Sequence, residues 1–459
     1  MSRLVLVLLA CTALLVSYSE SMIIPALPDI QSQYNASAAA VSWVPAIYLL
    51  VGAVSVPLFG RLGDVHGKKR MLILVMTAYS AAVVLDGFSW DLTSLLVFRA
   101  IQGLGLAMFP LAISLVHDEL DAAHVPVAVG LIVSMNGVGS AIGLIVGASI
   151  TESYGWQANY HLLAPFAILL TAMIFVLARE STVTAQERID YAGLTTIGAC
   201  FTLLLVGLTE GGTLGWTSAA TVGLLAAGAV LGVAIYFVER RNEQPVIPLR
   251  SATAKPLFLV NFVTLCTGAV MFIAFYVAIY FAQEPGIGLG RNVEQAGLIL
   301  APAAILMLVF APLAGRLMHR TGPKPVSLIG GILLIVGLIV ILPFHASGYG
   351  IAAATIIVLA GVAFELSALS VWVLLLSTPA QVAGNTGINT AFRTLGQAVG
   401  VTVSGAFLAS FLEPGTKLPS AEAYLLSVIV GIIFAGLAVL VVLGLSNQKG
   451  VIAAPGTAG

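Results

Sequence analysis

Glu365, Glu20, Arg99 and Arg393 are ionisable residues set inside long apolar runs, and that setting restricts what they can do. A charged side chain deep in hydrocarbon costs about 2.5–3.5 kcal/mol or more, so it is kept for a partner or a task. Glu365 follows Leu359-Ala360-Gly361-Val362-Ala363-Phe364, near the middle of its run. A carboxyl there is cheap as the neutral acid and costly as the anion, so it can take up and release a proton or hold a cation. The structural alternative is a hydrogen bond to a neighbouring helix. Glu20 and Arg99 are the next candidates for the same proton-coupling work. Arg393 has Asn389 and Gln397 at helical spacing, which turns it toward a polar seam. Asp86, Glu152 and Glu210 lie near the ends of their runs, where solvation is expected. The six histidines and Cys11, Cys200 and Cys266 show no metal-ligand spacing, so no metal site is expected, and the cysteines read as buried small apolar residues.

The runs that carry these residues make up most of the chain. Of 459 residues 59% are hydrophobic and only 8% charged, and the mean hydropathy is +1.06. No soluble core buries that much apolar surface, so lipid is the solvent and a partner of the chain. The net charge of −1 excludes a basic nucleic-acid-binding protein. At about 20 residues per crossing, fourteen spans are predicted: 4–25, 41–61, 71–89, 93–116, 129–151, 161–178, 191–210, 219–238, 257–281, 295–315, 325–344, 350–374, 384–411 and 424–445. The first has no Ala-x-Ala cleavage pattern after it and reads as an uncleaved span. With both termini in the cytoplasm, fifteen of the nineteen Lys and Arg residues fall in inner loops and tails; only Arg291 and Lys417 fall outside. That bias supports the orientation.

Two stretches repeat. Gly60-Arg61-Leu62-Gly63-Asp64-Val65-His66-Gly67-Lys68-Lys69-Arg70 returns at Gly315-Arg316-Leu317-Met318-His319-Arg320-Thr321-Gly322-Pro323-Lys324-Pro325, with five of eleven positions identical. Each copy reads as a short charged loop between two spans, its glycines allowing a tight turn. Gly139-Ser-Ala-Ile-Gly143 likewise returns at Gly396-Gln-Ala-Val-Gly400. The offsets, 255 and 257, make spans 1–6 and 9–14 related halves and spans 7 and 8 an insertion. The predicted fold class is an all-α membrane protein of two pseudo-symmetric six-helix bundles plus two inserted helices. Its parts are residues 1–180, 181–250 and 251–459.

This pattern resembles the major facilitator superfamily, in particular its fourteen-span drug:proton antiporters. The stretch Gly60 to Arg70 matches the loop signature of that superfamily. Arg99-x-x-Gln102-Gly103-x-Gly105 is similar to a second signature, and Gly139-x-x-x-Gly143-x-x-x-Gly147 to the antiporter signature, with Leu144 where that signature has proline. Gly155-Trp156-Gln157-Ala158-Asn159-Tyr160 and Asp190-Tyr191-Ala192-Gly193 also resemble the fourteen-span branch. The usual first-span aspartate of the family aligns near Ser19, with Glu20 one place on. The resemblance implies that Asp64 binds a helix N-terminus and latches one conformation, where a helix dipole favours a carboxylate. His319 stands at that position in the second copy, so the latch is expected to be one-sided. Lys68, Lys69 and Arg70 set orientation. The spaced glycines let helix backbones approach.

Two related bundles that tilt about a central site are what alternating access requires. No phosphate-cradling loop and no His-Glu-x-x-His is present, so a transport ATPase and a metalloprotease are excluded. The energy source is then an ion gradient, protons by default, with no cofactor. Met108, Phe272, Tyr276, Trp372, Phe392 and Arg393 form the candidate substrate pocket, suited to lipophilic compounds, cations included. Packing or lipid contact is the alternative for each apolar member. The expected function is proton-coupled efflux by a monomer of the cytoplasmic membrane. Transport of one endogenous metabolite, or channel-like facilitation, is the alternative.

Overall fold

Helices account for the whole architecture of the computed structural model, which describes residues 3–119, 125–178, 191–241, 255–344, 346–377, 382–414, 416 and 418–447. In chain order they are α1 (Arg3–Ser21), α2 (Leu27–Gln33), α3 (Ala38–His66), α4 (Lys68–Asp86), α5 (Leu92–Gly103) and α6 (Met108–Glu119). Then come α7 (Val125–Tyr154), α8 (Gln157–Leu177), α9 (Tyr191–Leu214), α10 (Ala219–Arg241) and α11 (Lys255–Gln283). The last five are α12 (Val293–Thr321), α13 (Pro323–Phe344), α14 (Gly348–Leu375), α15 (Val382–Ser410) and α16 (Ala421–Gly444). Among the described residues nine helices are long and apolar enough to cross a membrane, while α9 and α10 hold shorter apolar stretches. In lipid every backbone group must be satisfied within its own segment, which is why the apolar runs are helical throughout. A 3-10 turn over Leu104–Ala107 joins α5 to α6.

The charged repeats are not loops. Helix α3 continues through Gly60 and Asp64 to His66, and α4 begins at Lys68, so Gly67 alone makes the corner. Its φ of 103° lies where L side chains are strained, which is why glycine stands there. Gly322, 255 positions on, turns the corner between α12 and α13 with φ 83°. Lys68 is buried and Lys69 sits 5.8 Å from the centre of the Phe175 ring. The Asp64 and His319 side chains lie outside the described residues, and so does the expected latch.

Glycine stripes set the closest helix contacts. A Cβ added at Gly139 would meet the Leu14 carbonyl oxygen at 2.3 Å, at Gly143 the Tyr18 oxygen at 2.6 Å, and at Gly147 the Met22 Cβ at 2.6 Å. Helix α7 therefore lies backbone to backbone on α1. The repeated stripe does the same for α15 on α11: an added Cβ would stand 2.0 Å from the Leu265 oxygen at Gly396 and 2.3 Å from the Ala269 oxygen at Gly400. Helix α15 also packs along α3, and α7 along α12, so these two contacts join the N-terminal helices to the C-terminal ones.

Hydrogen bonds across that junction collect at the end of the bundle remote from Gly67. Tyr276 donates to the Ala38 carbonyl at 3.2 Å, Tyr280 to Gln31 at 2.8 Å and Gln283 to the Pro25 carbonyl at 2.6 Å. Ser149 donates to Glu294 at 3.2 Å, and the Val293 amide, first in α12, donates to Glu152 at 2.9 Å. A carboxylate on a helix N-terminus is favoured by the helix dipole. Together these contacts form a clasp.

Just past α11 at that end, Glu284 is buried and accepts a hydrogen bond from the Tyr424 hydroxyl. Burial pushes its carboxyl up from 4.5 to about 7, partly offset by the Tyr424 bond. The folded protein thus holds this proton more tightly than the unfolded chain does. Its contribution is full below about 4.5 and is lost as pH rises to about 7. Thermal unfolding in detergent is expected to show a melting temperature that falls across that window. Glu284→Gln should flatten the fall; an unchanged profile would assign it to other groups.

Candidate functional site

Arg99, on α5, is fully buried among the N-terminal helices. Its Nε donates to the Val44 carbonyl at 3.2 Å, and Nη1 donates to Gln102 at 2.6 Å, the Ser19 carbonyl at 3.4 Å and the Tyr160 hydroxyl at 3.4 Å. The guanidinium also lies 4.6 Å from the centre of the Tyr48 ring, a cation–π contact. Neutral acceptors from α1, α3, α5 and α8 thus hold one buried cation. Two glycines make the fit possible. A Cβ at Gly103 would stand 2.5 Å from the Tyr48 oxygen and one at Gly105 2.3 Å from the Tyr79 ring. Tyr79 in turn donates to the Ser19 hydroxyl at 2.7 Å.

Glu20, next to Ser19 on α1, is half-buried and makes no hydrogen bond among the described residues. Two cations act on its carboxylate: Arg393 first, then Arg99. Arg393 belongs to α15 and is half-buried. The charges that act on Glu20 thus come both from its own set of helices and from the C-terminal ones. Asn389, one turn before Arg393, donates to Asn261 at 2.9 Å and Thr264 at 2.7 Å on α11. Those bonds join α15 to α11, both among the C-terminal helices.

Glu365 is placed differently. It is fully buried at the crossing of α13 and α14, where Ser327 donates to Oε2 at 2.6 Å and Oε1 has no partner. Gly330 leaves room for it; a Cβ there would be 2.8 Å from its Cγ. That crossing lies inside the C-terminal helices and away from the seam. Of the expected pocket residues, Phe392 and Arg393 reach the seam, and Phe392 lines a small apolar cavity with Val54 of α3 and Phe201 of α9. Tyr276 stacks on Tyr280 with ring centres 4.9 Å apart and joins the clasp. Met108 and Phe272 instead sit in the main apolar core, and Trp372 packs with Val263, Cys266 and Val442. Their apolar bulk fills helix interfaces.

Two further placements differ from the sequence reading, and a third residue gains a partner. Asp86 was expected in solvent but is fully buried, both oxygens without a partner, in the field of Arg99. Its position at the last turn of α4 hid this, because α5 and α8 fold over that turn. Cys11 is exposed rather than buried. Glu152 is exposed, as expected, yet serves the clasp. The partners of Arg99 were missed. Tyr48, Tyr79 and Tyr160 are hydroxyl-bearing residues inside apolar runs, and that was the available signal. A larger apolar groove of about 480 Å³ between α4 and α8 holds no ionisable side chain and is not the site.

Helices joined by glycine corners, with a buried arginine and a charged seam, define a membrane transporter. The sequence profile of the Major Facilitator Superfamily matches residues 9–401 and 257–455. The chain belongs to that superfamily; it is a multi-pass membrane transporter of small molecules and not an enzyme. It is 26% identical over 414 residues to the tetracenomycin C resistance and export protein of Streptomyces glaucescens, covering 88% of this chain and 76% of that one. It is 26% identical to the multidrug resistance protein Stp of Mycobacterium tuberculosis, covering 84% and 72%. The xylose transporter XylE of E. coli, solved in a partially occluded inward-open conformation, has the same fold. Its TM-score is 0.64 at 15% identity, covering 97% of this chain and 98% of that one.

Proposed function

We propose that this transporter exports lipophilic compounds in exchange for protons, alternating its access about the seam between Glu20 and Arg393. The names of the relatives, multidrug resistance and export, support the substrate class and direction. The observation that carries the coupling is the position of Glu20. It is half-buried on α1, and cations from both sets of helices, Arg393 and Arg99, act on its carboxylate. A coupling carboxyl must meet water from each side in turn, and a residue at the moving junction does so. Glu365, closed inside one bundle, serves that crossing instead.

In this reading the chain has fourteen spans. Residues 1–180 and 251–459 form two six-helix bundles, and residues 181–250 contribute the inserted pair. The positive-inside bias puts both termini and the Gly67 corner in the cytoplasm. The clasped end is then outside, and the present state faces inward. A proton entering from outside neutralises Glu20 and displaces a bound cationic group. Return to the inward state releases the proton to the less acidic cytoplasm, and Glu20 recovers its charge. Asp64 latches the opposite state. The transporter acts as a monomer, without cofactor, in the cell membrane. The test is dye uptake by inverted membrane vesicles carrying a proton gradient. Uptake should saturate and stop on adding a protonophore; uptake indifferent to the protonophore would remove proton coupling.

A further inference from the structure

The groove of about 480 Å³ between α4 and α8 is built for something other than the transported compound. Helix α4 forms one wall with Ile73, Thr77, Ala81 and Val84, and α8 forms the other with Ile168, Ala172 and Phe175. On each helix these positions recur every three or four residues and so share one face. Ala81 and Ala172 are short, which leaves a trough between the larger side chains around them. In its floor Ser80 donates to Thr171 at 3.0 Å, and Thr171 donates to the Ala167 carbonyl at 2.8 Å. Both hydroxyls are thereby satisfied. A hollow lined in this way suits a hydrocarbon chain.

Its length and its ends identify the occupant. From Ile73 to Val84 the groove runs about 16 Å, at a helical rise of ~1.5 Å per residue. That is about half of a ~30 Å hydrocarbon core, the depth of one leaflet. Thr77, Ala81, Ile168, Ala172 and Phe175 are exposed, so in a membrane the groove opens onto lipid. Toward the Gly67 corner, the same face of α4 continues one turn beyond Ile73 to Lys69. The Lys69 ammonium lies 5.8 Å from the centre of the Phe175 ring, and Phe175 lines the groove. A cation therefore stands at the end of the hollow, where a lysine stem follows apolar surface and its head reaches the headgroup level. The first turn of α4 holds Lys68, Lys69 and Arg70 and no acid. A chain lying in the groove would bring its own headgroup to those cations, and they favour a headgroup of net negative charge.

We propose that this groove binds one anionic phospholipid, with an acyl chain between Ala81 and Ala172 and the phosphate at Lys69. Phe175 serves both parts, because its side chain borders the chain and its ring face holds the cation in place. Since α4 leaves the Gly67 corner at Lys68, a lipid held at Lys69 braces that corner from the membrane side. A zwitterionic lipid fits the same groove but gains less at Lys69. The site is separate from the transport reading above and does not depend on proton coupling.

The test titrates lipid into the purified full chain in detergent and counts bound molecules by native mass spectrometry. The probes are dioleoyl phosphatidylglycerol, dioleoyl phosphatidylcholine, which has the same chains and no net charge, and glycerol 3-phosphate, which has the phosphate and no chains. Wild type should bind its first phosphatidylglycerol about fivefold more tightly than phosphatidylcholine, and should not bind glycerol 3-phosphate. Lys69→Gln should lose that preference and still bind either lipid. Arg70→Gln, exposed and off the groove face, should keep it. Ala172→Phe should fill the trough and weaken both lipids at least about tenfold. Ala81→Phe, exposed on the opposite wall, answers the same question if the first variant does not fold. Equal affinity of wild type for the two lipids overturns the proposal. So does a preference that survives Lys69→Gln, or one lost equally in Arg70→Gln. Unchanged phosphatidylglycerol binding by a filled variant, folded by gel filtration and helicity, would remove the groove from the site. Binding of glycerol 3-phosphate as tight as that of the lipid would do the same.

Discussion

Glu20→Gln is expected to reduce proton-driven export to the level of empty vesicles while the protein stays folded in the membrane. Glutamine keeps the shape of the protonated acid and cannot ionise, so the step that resets the site is missing. The substitution takes away an anion that Arg393 and Arg99 both act on, and it leaves no hydrogen bond unmade, since Glu20 makes none among the described residues. Little unfolding should follow. Exchange of substrate without a gradient can survive, because it needs no proton to reset the site. Glu365→Gln is the companion variant. It keeps an acceptor for Ser327 and sits away from the seam, so transport should remain gradient-dependent. The measurement is dye export in inverted vesicles against imposed pH steps. Full pH-dependent export by Glu20→Gln, with loss in Glu365→Gln, would move the coupling role to Glu365.

The contrast between these carboxylates shows how far the sequence reaches. An ionisable residue in an apolar run is visible without a structure, and Glu20, Arg99, Glu365 and Arg393 were all identified that way. Which of them faces the seam depends on how helices from distant parts of the chain pack. Glu365 looked strongest because it is deepest in its run, but depth along a helix does not say which side faces water. Asp86 shows the converse. Its place at a helix end suggested solvent, and packing by α5 and α8 buried it. Local rules fared better where one residue controls geometry. The repeat located both corner glycines 255 positions apart, although the flanking charges suggested loops where the helices continue. The spaced glycines could be read as close-packing sites because a missing Cβ acts within its own contact. The span count lies between these cases. Helices α4 and α15 carry several charged or polar residues, and such helices score poorly on apolarity alone.

Covalent closure of the clasp is expected to stop transport completely and reversibly. Its non-covalent form is weak by design. A hydrogen bond contributes about 0.5–1.5 kcal/mol net, and a carboxylate at a helix N-terminus about 0.3–1 kcal/mol. The five contacts, centred on Tyr276, Tyr280, Gln283, Ser149 and Glu152, therefore hold that end shut by about 2–7 kcal/mol. Substrate and proton binding can overcome that much in each cycle. A covalent bridge is beyond their reach. Ser149 and Glu294 are the suitable pair, since their side chains already meet at 3.2 Å across the junction. Replacing both with cysteine, in a chain where the exposed Cys11 is changed to serine, permits linkage by a short thiol-cleavable bis-methanethiosulfonate reagent. Cys200 and Cys266 are buried and should not react. Linked protein should bind ligand from the cytoplasmic side with unchanged affinity and transport none, and reductant should restore transport. Either single-cysteine variant, treated alike, should transport normally. Full transport by the linked protein would mean that this end does not open during the cycle, and alternating access about Glu20 and Arg393 would then be wrong.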